Sequence, residues 1–385
     1  MSTDIKSLIS ETFLEIAKAI ESGEYRDRIK IGLTTLGSEL GVEEVIKGGL
    51  EASKSQLFDV VLIGPKTDCS LEVFEANDEQ EAHKVMNRLL DEGYIQACVT
   101  MHYPFPIGVA TVGRIITPAK GKELILATTT GTSDTNRTIA MIKNAIYGII
   151  TAKALGNSKP TIGILNVENA PSVERLLSKL TENGYELHFG ESIRTDKGAI
   201  MRGNDFINPS CDVMVTDTLT GNILMKLFSS FTTGGNYEVI GYGYGPGIGF
   251  GYDRIINIIS RASGAPVIKN ALIYAYEVIK GNIKTIIQEE YTKLQKASFF
   301  DLIDSIKQDT PVQMKTDEES QEPLKEIVSE EITGIEIFEL DNAVKVLKTK
   351  GIYAESGMGC TGPVVLVSTK NKEQAISILK VHKYL

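Results

Sequence analysis

The chain is poor in cysteine, and its four, Cys69, Cys98, Cys211 and Cys360, stand far apart. No pair has the C-x-x-C spacing of a redox or zinc site, so free thiols are expected rather than disulfides. Clusters of Lys or Arg are absent too. With 40 basic residues against 50 acidic ones and a net charge of −10, the surface repels a polyphosphate backbone, which argues against nucleic acid as a partner. No apolar run is long enough to cross a bilayer. The segment Met1 to Glu24 lacks the basic start and apolar core of a signal peptide. It reads instead as an amphipathic helix, with Ile5, Leu8, Ile9, Phe13, Ile16 and Ile20 at helical spacing. A cytoplasmic location without membrane contact is expected. His83, His188 and His382 have no ligand spacing to one another or to paired carboxylates, so no metal is expected.

What is present is an ordinary globular composition, 42% hydrophobic and 23% charged over 385 residues, which is enough chain for more than one module. Apolar runs rich in Val and Ile at Ile29–Leu33, Val60–Ile63, Ile95–Thr100, Leu124–Thr128, Thr161–Val167 and Cys211–Thr216 read as strands buried on both faces. Helices are expected at Gln80–Glu92, Thr138–Leu155 and Ser172–Asn183, the last with Pro171 near its first turn and Gly184 just past its end. The alternation predicts an α/β fold with a mostly parallel, doubly wound sheet.

From residue 308 to 330 the composition turns to Lys, Asp, Glu, Gln, Ser, Thr and Pro, as in a solvated linker. A second, smaller α/β pattern follows: a helix around Leu340–Lys350, a strand around Ile352–Glu355, a glycine-rich turn, the strand Pro363–Ser368 and a helix Glu373–Lys380. The expected division is therefore 1–307, 308–330 and 331–385.

The run Ser356-Gly357-Met358-Gly359-Cys360-Thr361-Gly362-Pro363 sets a cysteine among residues without a Cβ. Gly357, Gly359 and Gly362 leave sulfur and backbone amides accessible together, and amides near sulfur favour thiolate and stabilise an oxyanion. A buried cysteine beside a tight turn fits the same motif. Two further loops have the strand, polar loop, helix order that sets amides at the carboxyl edge of a parallel sheet. One contains Thr130, Gly131, Thr132, Ser133, Asn136 and Arg137; the other contains Thr220, Gly221 and Asn222. Both suit phosphate, and helix capping by Ser133 or Asp134 and by Thr220 or Asn222 accounts for them equally. The odd-numbered glycines from Gly241 to Gly251 include no pair five apart, as the nucleotide loops require. They read as a tight turn or a bent segment lining a cleft. Cys98, followed by His102-Tyr103-Pro104, reads as a core thiol.

Val60–Gly64, Leu124–Asn169 and the Val215-Thr216-Asp217-Thr218-Leu219-Thr220-Gly221-Asn222 run resemble the PlsX-type phosphate acyltransferases, which share a fold with phosphotransacetylases. The likeness covers residues 30 to 290. It departs at Leu36-Gly37-Ser38-Glu39, where that family has Gly-Gly-Asp, and at Thr100-Met101-His102-Tyr103-Pro104, where it has a Ser-x-Gly-Asn-Thr-Gly loop. The tail motif Glu355 to Pro363 resembles that of the component C alpha subunits of glycine/sarcosine/betaine reductase. That resemblance implies an acetyl group held as a thioester on Cys360, with Thr361 and the glycines supporting the loop, and its release to inorganic phosphate as acetyl phosphate. It also implies a ketoacyl synthase-like beta subunit of component C as partner, a selenoprotein A that supplies the carboxymethyl group on its selenocysteine, and no cofactor of the chain's own.

Overall fold

The computed structural model describes residues 28–195, 197–309, 325–335, 337–359, 362–382 and 384–385, together with residue 323 and separate positions between 9 and 21. Those early positions are helical, with Ile9, Phe13, Ile16 and Ile20 exposed. Ile5, Leu8 and most of the stretch 310–324 lie outside the described residues.

The chain order begins β1 (Lys30–Thr34), α1 (Val42–Ser53), β2 (Asp59–Gly64), β3 (Glu72–Glu75), α2 (Glu79–Asp91) and β4 (Ala97–Thr100). It continues with β5 (Val109–Ile116), β6 (Glu123–Thr132), α3 (Arg137–Ala154), β7 (Thr161–Leu165), α4 (Ala170–Glu182), β8 (His188–Phe189) and β9 (Ile200–Met201). Next come α5 (Asn204–Ile207), β10 (Val213–Val215), α6 (Thr218–Ser230), β11 (Gly245–Ile248), β12 (Ile256–Ile258), α7 (Ala265–Lys280), α8 (Ile283–Lys296) and α9 (Phe299–Asp309). The tail contains β13 (Glu330–Ile332), α10 (Leu340–Thr349), β14 (Ala354–Gly359), β15 (Gly362–Val367) and α11 (Lys372–Val381).

Strands are apolar at every position where helices cover both faces of the sheet. Val60 and Leu62 share one core with Ile31, Leu33, Ile125 and Ala127, whereas Val61 and Ile63 share the other with Cys98, Leu124 and Leu126. Helices α1, α3, α4 and α7 pack on the first face, and α2 and α6 on the second. The described residues form a twelve-stranded sheet in the order β3-β2-β1-β4-β12-β11-β5-β6-β10-β7-β8, with β9 also beside β7. From β3 to β12 neighbours are parallel, and from β6 to β8 they are parallel again. Only β11 and β5, which join the two halves, run antiparallel to their neighbours. The mostly parallel sheet wound on both faces is thus the fold that the apolar runs predict.

The odd-glycine series is corrected in its middle. Gly245–Ile248 form β11, a fully buried strand within the sheet, with bends before it and a turn at 250–251 after it. Small residues are needed there because a Cβ on Gly245 would lie 1.7 Å from the Val112 carbonyl oxygen, and one on Gly247 2.4 Å from the Phe105 ring. Steric room accounts for Gly245, Gly247 and Gly249, whereas Gly251 has open space around it and a positive φ.

In the tail, β13, β15 and β14 form an antiparallel sheet with α10 and α11 on one side. The glycine-rich turn is narrower than the sequence suggests. Ser356 to Gly359 lie within β14, and Gly362 opens β15 in register with Gly359. A Cβ on Gly357 would meet Leu366 at 2.9 Å and one on Gly359 the Glu331 carboxylate at 2.7 Å, so these glycines serve close packing inside a hairpin. Cys360 and Thr361, which link the two strands, lie outside the described residues.

Candidate active site

Three antiparallel pairings in succession, β12–β11–β5–β6, turn the second half of the sheet opposite to the first, and a crevice lies where the two halves meet. A cavity of about 530 Å³ opens there. One wall comes from the end of β6, through Thr130 and Gly131, and from α6, through Asn222 and Lys226. Facing it are the segment after β4, Met101 to Phe105, and the segment from β12 onward, Ile258 to Arg261. Glu39 from the β1–α1 loop and Tyr244 close the floor, and Met358 and Gly359 of the tail hairpin complete the lining.

Local packing explains the first wall. Asp217 caps α6, accepting from the Thr220 amide at 3.0 Å and its hydroxyl at 2.6 Å. A Cβ on Gly221 would lie 1.8 Å from the Thr128 carbonyl oxygen, so glycine is what lets α6 press against β6. The Asn222 side-chain amide then donates to the Thr129 carbonyl at 3.0 Å. One turn later Lys226 projects from the same helix, its ammonium 5.7 Å from the Tyr244 ring centre.

The opposite wall carries titratable groups. Arg261 makes paired hydrogen bonds to Glu79 at 3.0 and 2.9 Å and donates to the Gly37 carbonyl at 3.1 Å, and that guanidinium holds Glu79 below the ordinary carboxylate range. His102 is half-buried, with the His83 ring of α2 6.3 Å away. Burial pushes both imidazoles below the usual histidine value. Deeper in, Glu238 accepts from the Tyr244 hydroxyl at 2.9 Å and from Ser263 at 3.1 Å, and burial pushes its carboxyl up.

The tail sits against this opening. The Thr132 hydroxyl donates to the Met358 sulfur at 3.4 Å, and Thr135 donates to Asp341 at 3.1 Å. Ile107 packs on the tail core. Of the residues singled out in the sequence, Thr130, Gly131, Asn222 and Gly359 come together in the cavity lining, and Thr132 touches Met358 beside it.

The others have different partners. Ser133 donates to Asn144 at 2.5 Å inside the core. Asn136 caps α3, accepting from the Thr138 and Ile139 amides. Arg137 pairs with Glu168, and Thr220 with Asp217. Of these, Asn136 satisfies the first amides of α3, whereas Ser133, Arg137 and Thr220 are held by the side chains of Asn144, Glu168 and Asp217. His102, Lys226, Arg261, Glu39 and Tyr244 were not foreseen. The spacing of Asn222 and Lys226, one helical turn apart, is the single signal that could have found one of them.

Cys98 and Cys211 are buried, and burial raises both thiols, that of Cys211 to about 12. Neither provides an accessible thiolate. Among the described residues no group of three or more His, Cys, Asp or Glu side chains is arranged to hold a metal ion. No helix among them is long and apolar enough to cross a membrane.

A fold of this class, with a polar cleft where two half-sheets of opposite direction meet, accords with what the chain is similar to. It belongs to the fatty acid synthesis protein family, whose model matches residues 29–366. It is 54% identical over 379 residues, 98% of either length, to the glycine/sarcosine/betaine reductase complex component C subunit alpha of Peptoclostridium acidaminophilum. A phosphate acyltransferase of Thermotoga petrophila is 26% identical over 234 residues, 52% of this chain and 67% of that protein. Among solved structures, a branched-chain phosphotransacylase from Enterococcus faecalis V583 aligns over 65% of this chain and 99% of its own, with a TM-score of 0.47 and 16% identity. That last likeness is too loose to bear on function.

Proposed function

We propose that the chain is the acyl-transferring subunit of a reductase complex, in which Cys360 holds an acetyl group as a thioester and inorganic phosphate in the cleft displaces it as acetyl phosphate. The acetyl group originates as a carboxymethyl group on the selenium of a partner selenoprotein, and a ketoacyl synthase-like beta subunit is the constant partner. One observation carries the reading: Met358 and Gly359, the two residues directly before Cys360, line the same cavity as Thr130, Gly131 and Asn222. Lys226 and Arg261 in that lining supply positive charge for an oxyanion. Sulfur is a fitting carrier, because a thioester keeps acyl-transfer potential and a thiolate leaves readily. Buried Cys98 and Cys211 are poor alternatives.

The experiment is exchange of labelled phosphate into acetyl phosphate, with peptide mass spectrometry of the incubated chain. A hydroxylamine-labile acetyl increment on the Cys360 peptide, lost together with exchange in Cys360→Ser, is expected. Undiminished exchange in that variant, or acetylation confined to Cys98 or Cys211, overturns the reading. The likeness to phosphate acyltransferases favours one other reading, a free-standing enzyme that takes acyl thioesters from another carrier. It requires Cys360→Ser to retain acyl phosphate output when such a thioester is supplied.

A further inference from the structure

We infer that His102 is the proton-transfer group of this cleft, taking the proton of monohydrogen phosphate as it attacks the thioester and returning it to the departing sulfur. The inference rests on the acyl transfer proposed above and assigns the step it leaves without an agent.

The argument starts from location. His102 follows β4 directly and lines the cavity together with Thr130, Gly131, Met358 and Gly359, so it shares the cavity with the last two residues of β14. Its loop is held from behind. The His83 side chain is hydrogen-bonded to the His102 backbone, and the ring of Tyr103 meets His83 edge-on at 6.1 Å. The neighbouring hydroxyl of Tyr103 accepts from Arg254 at 3.1 Å. A group braced in this way keeps its position when a small anion enters, as proton transfer requires.

Its charge state follows from its neighbours. His83 and Glu79 face it from α2, Arg261 from the segment after β12, and Glu331 from β13 of the tail. The two carboxylates favour a proton on His102, whereas burial, His83 and Arg261 oppose it, and burial is the largest effect. The imidazole is therefore neutral at neutral pH and able to act as a base. The other ionisable groups of the lining suit this task less well. Lys226 and Arg261 are cations without an acceptor atom, and the Tyr244 hydroxyl already donates to Glu238. The carboxylate of Glu39 would meet an incoming dianion with charge of the same sign. A neutral base avoids that repulsion.

The step balances without an oxidant or reductant. A phosphate oxygen forms a bond to the thioester carbonyl carbon while its O–H proton passes to the imidazole. The tetrahedral oxyanion collapses, the C–S bond breaks with its electron pair going to sulfur, and the imidazolium protonates that thiolate. Acyl phosphate and a thiol result.

The test uses the full-length chain and the exchange of labelled phosphate into acetyl phosphate. In His102→Gln the maximal exchange rate should fall about 10²- to 10⁴-fold, while the phosphate concentration for half-maximal rate changes little and the thermal midpoint is kept. The variant-to-parent rate ratio should rise as pH falls through the titration of His102, which lies below the ordinary 6.5; phosphate's own ionisation is common to both proteins and cancels. Added imidazole should restore rate to His102→Ala and leave the parent unaffected. His83→Gln, at a positioning residue, should lower the rate less and keep the pH-dependent ratio. Full exchange in His102→Gln, or a ratio independent of pH, overturns the assignment while acetylation of Cys360 still stands. Absence of any Cys360 adduct in the parent protein overturns both it and the acyl transfer on which it rests.

Discussion

Two loops of this molecule have the same design on paper and different duties in space. The β6–α3 and β10–α6 segments each run from a buried strand through hydroxyl-rich residues into a helix, and each opens at the carboxyl edge of the sheet. In both, the residue at the helix start is consumed locally, Asn136 on the Thr138 and Ile139 amides and Asp217 on Thr220. What reaches the cleft comes from elsewhere: the end of β6 itself, at Thr130 and Gly131, and the second and third turns of α6, at Asn222 and Lys226. Polar side chains beside a helix N-terminus are claimed first by the helix, since its leading amides have no other partners. A loop that binds an anion must offer groups beyond that demand. The α6 segment does so because Gly221 lets the helix lie against the Thr128 carbonyl, which turns its second turn toward the cavity.

The comparison breaks most sharply at Gly221. Replacing a helical glycine by alanine ordinarily stabilises by up to about 1 kcal/mol. Here a Cβ would lie 1.8 Å from a backbone oxygen, so Gly221→Ala should cost about 3 kcal/mol or more and lower exchange along with it. Urea denaturation of parent and variant measures this, and a stabilised Gly221→Ala would show that α6 is not held where described.

Lys226→Ala comes next. Removal of a charge-assisted contact to phosphate should raise the KM for phosphate about tenfold, or 1.4 kcal/mol, with little change in thermal midpoint. An unchanged KM would move the anion away from α6. Asn136→Ala should do the reverse, lowering stability by about 1 kcal/mol through loss of the α3 cap and leaving the KM for phosphate intact. The two variants together test whether the first loop supports the helix and the second the ligand.

How far these duties were legible in the sequence depends on range. Continuous apolar runs such as Val60–Ile63 announce a sheet covered on both faces, because only neighbours on either side tolerate such a strand. Helix ends were legible for the same local reason, as Pro171 and Gly184 at the two ends of α4 show. The strand β11 was not, since its glycines answer to Val112 and Phe105, residues more than a hundred positions earlier. The cleft was legible in part. Thr130, Gly131 and Asn222 follow strands in a recognisable order, whereas His102 and Arg261 meet only because β12 lies beside β4 in the sheet. A motif reports local geometry, and a wall built from four distant segments has no motif.

The smallest expected effect concerns Arg137, the residue of the first loop that most resembles a phosphate ligand on paper. Its side chain is 58% exposed and pairs with Glu168, itself 70% exposed. A pair so open to solvent contributes about 0 to 1 kcal/mol, and the side chain is not among those lining the cavity. Arg137→Ala should therefore lower the unfolding free energy measured in urea by no more than that and leave both exchange rate and KM for phosphate unchanged. High salt should erase what difference remains, because exposed charges are screened within about 8 to 10 Å at ordinary ionic strength. If instead Arg137→Ala raised the KM for phosphate as much as Lys226→Ala, the two loops would share the anion, and capping would not have excluded the first of them from the cleft.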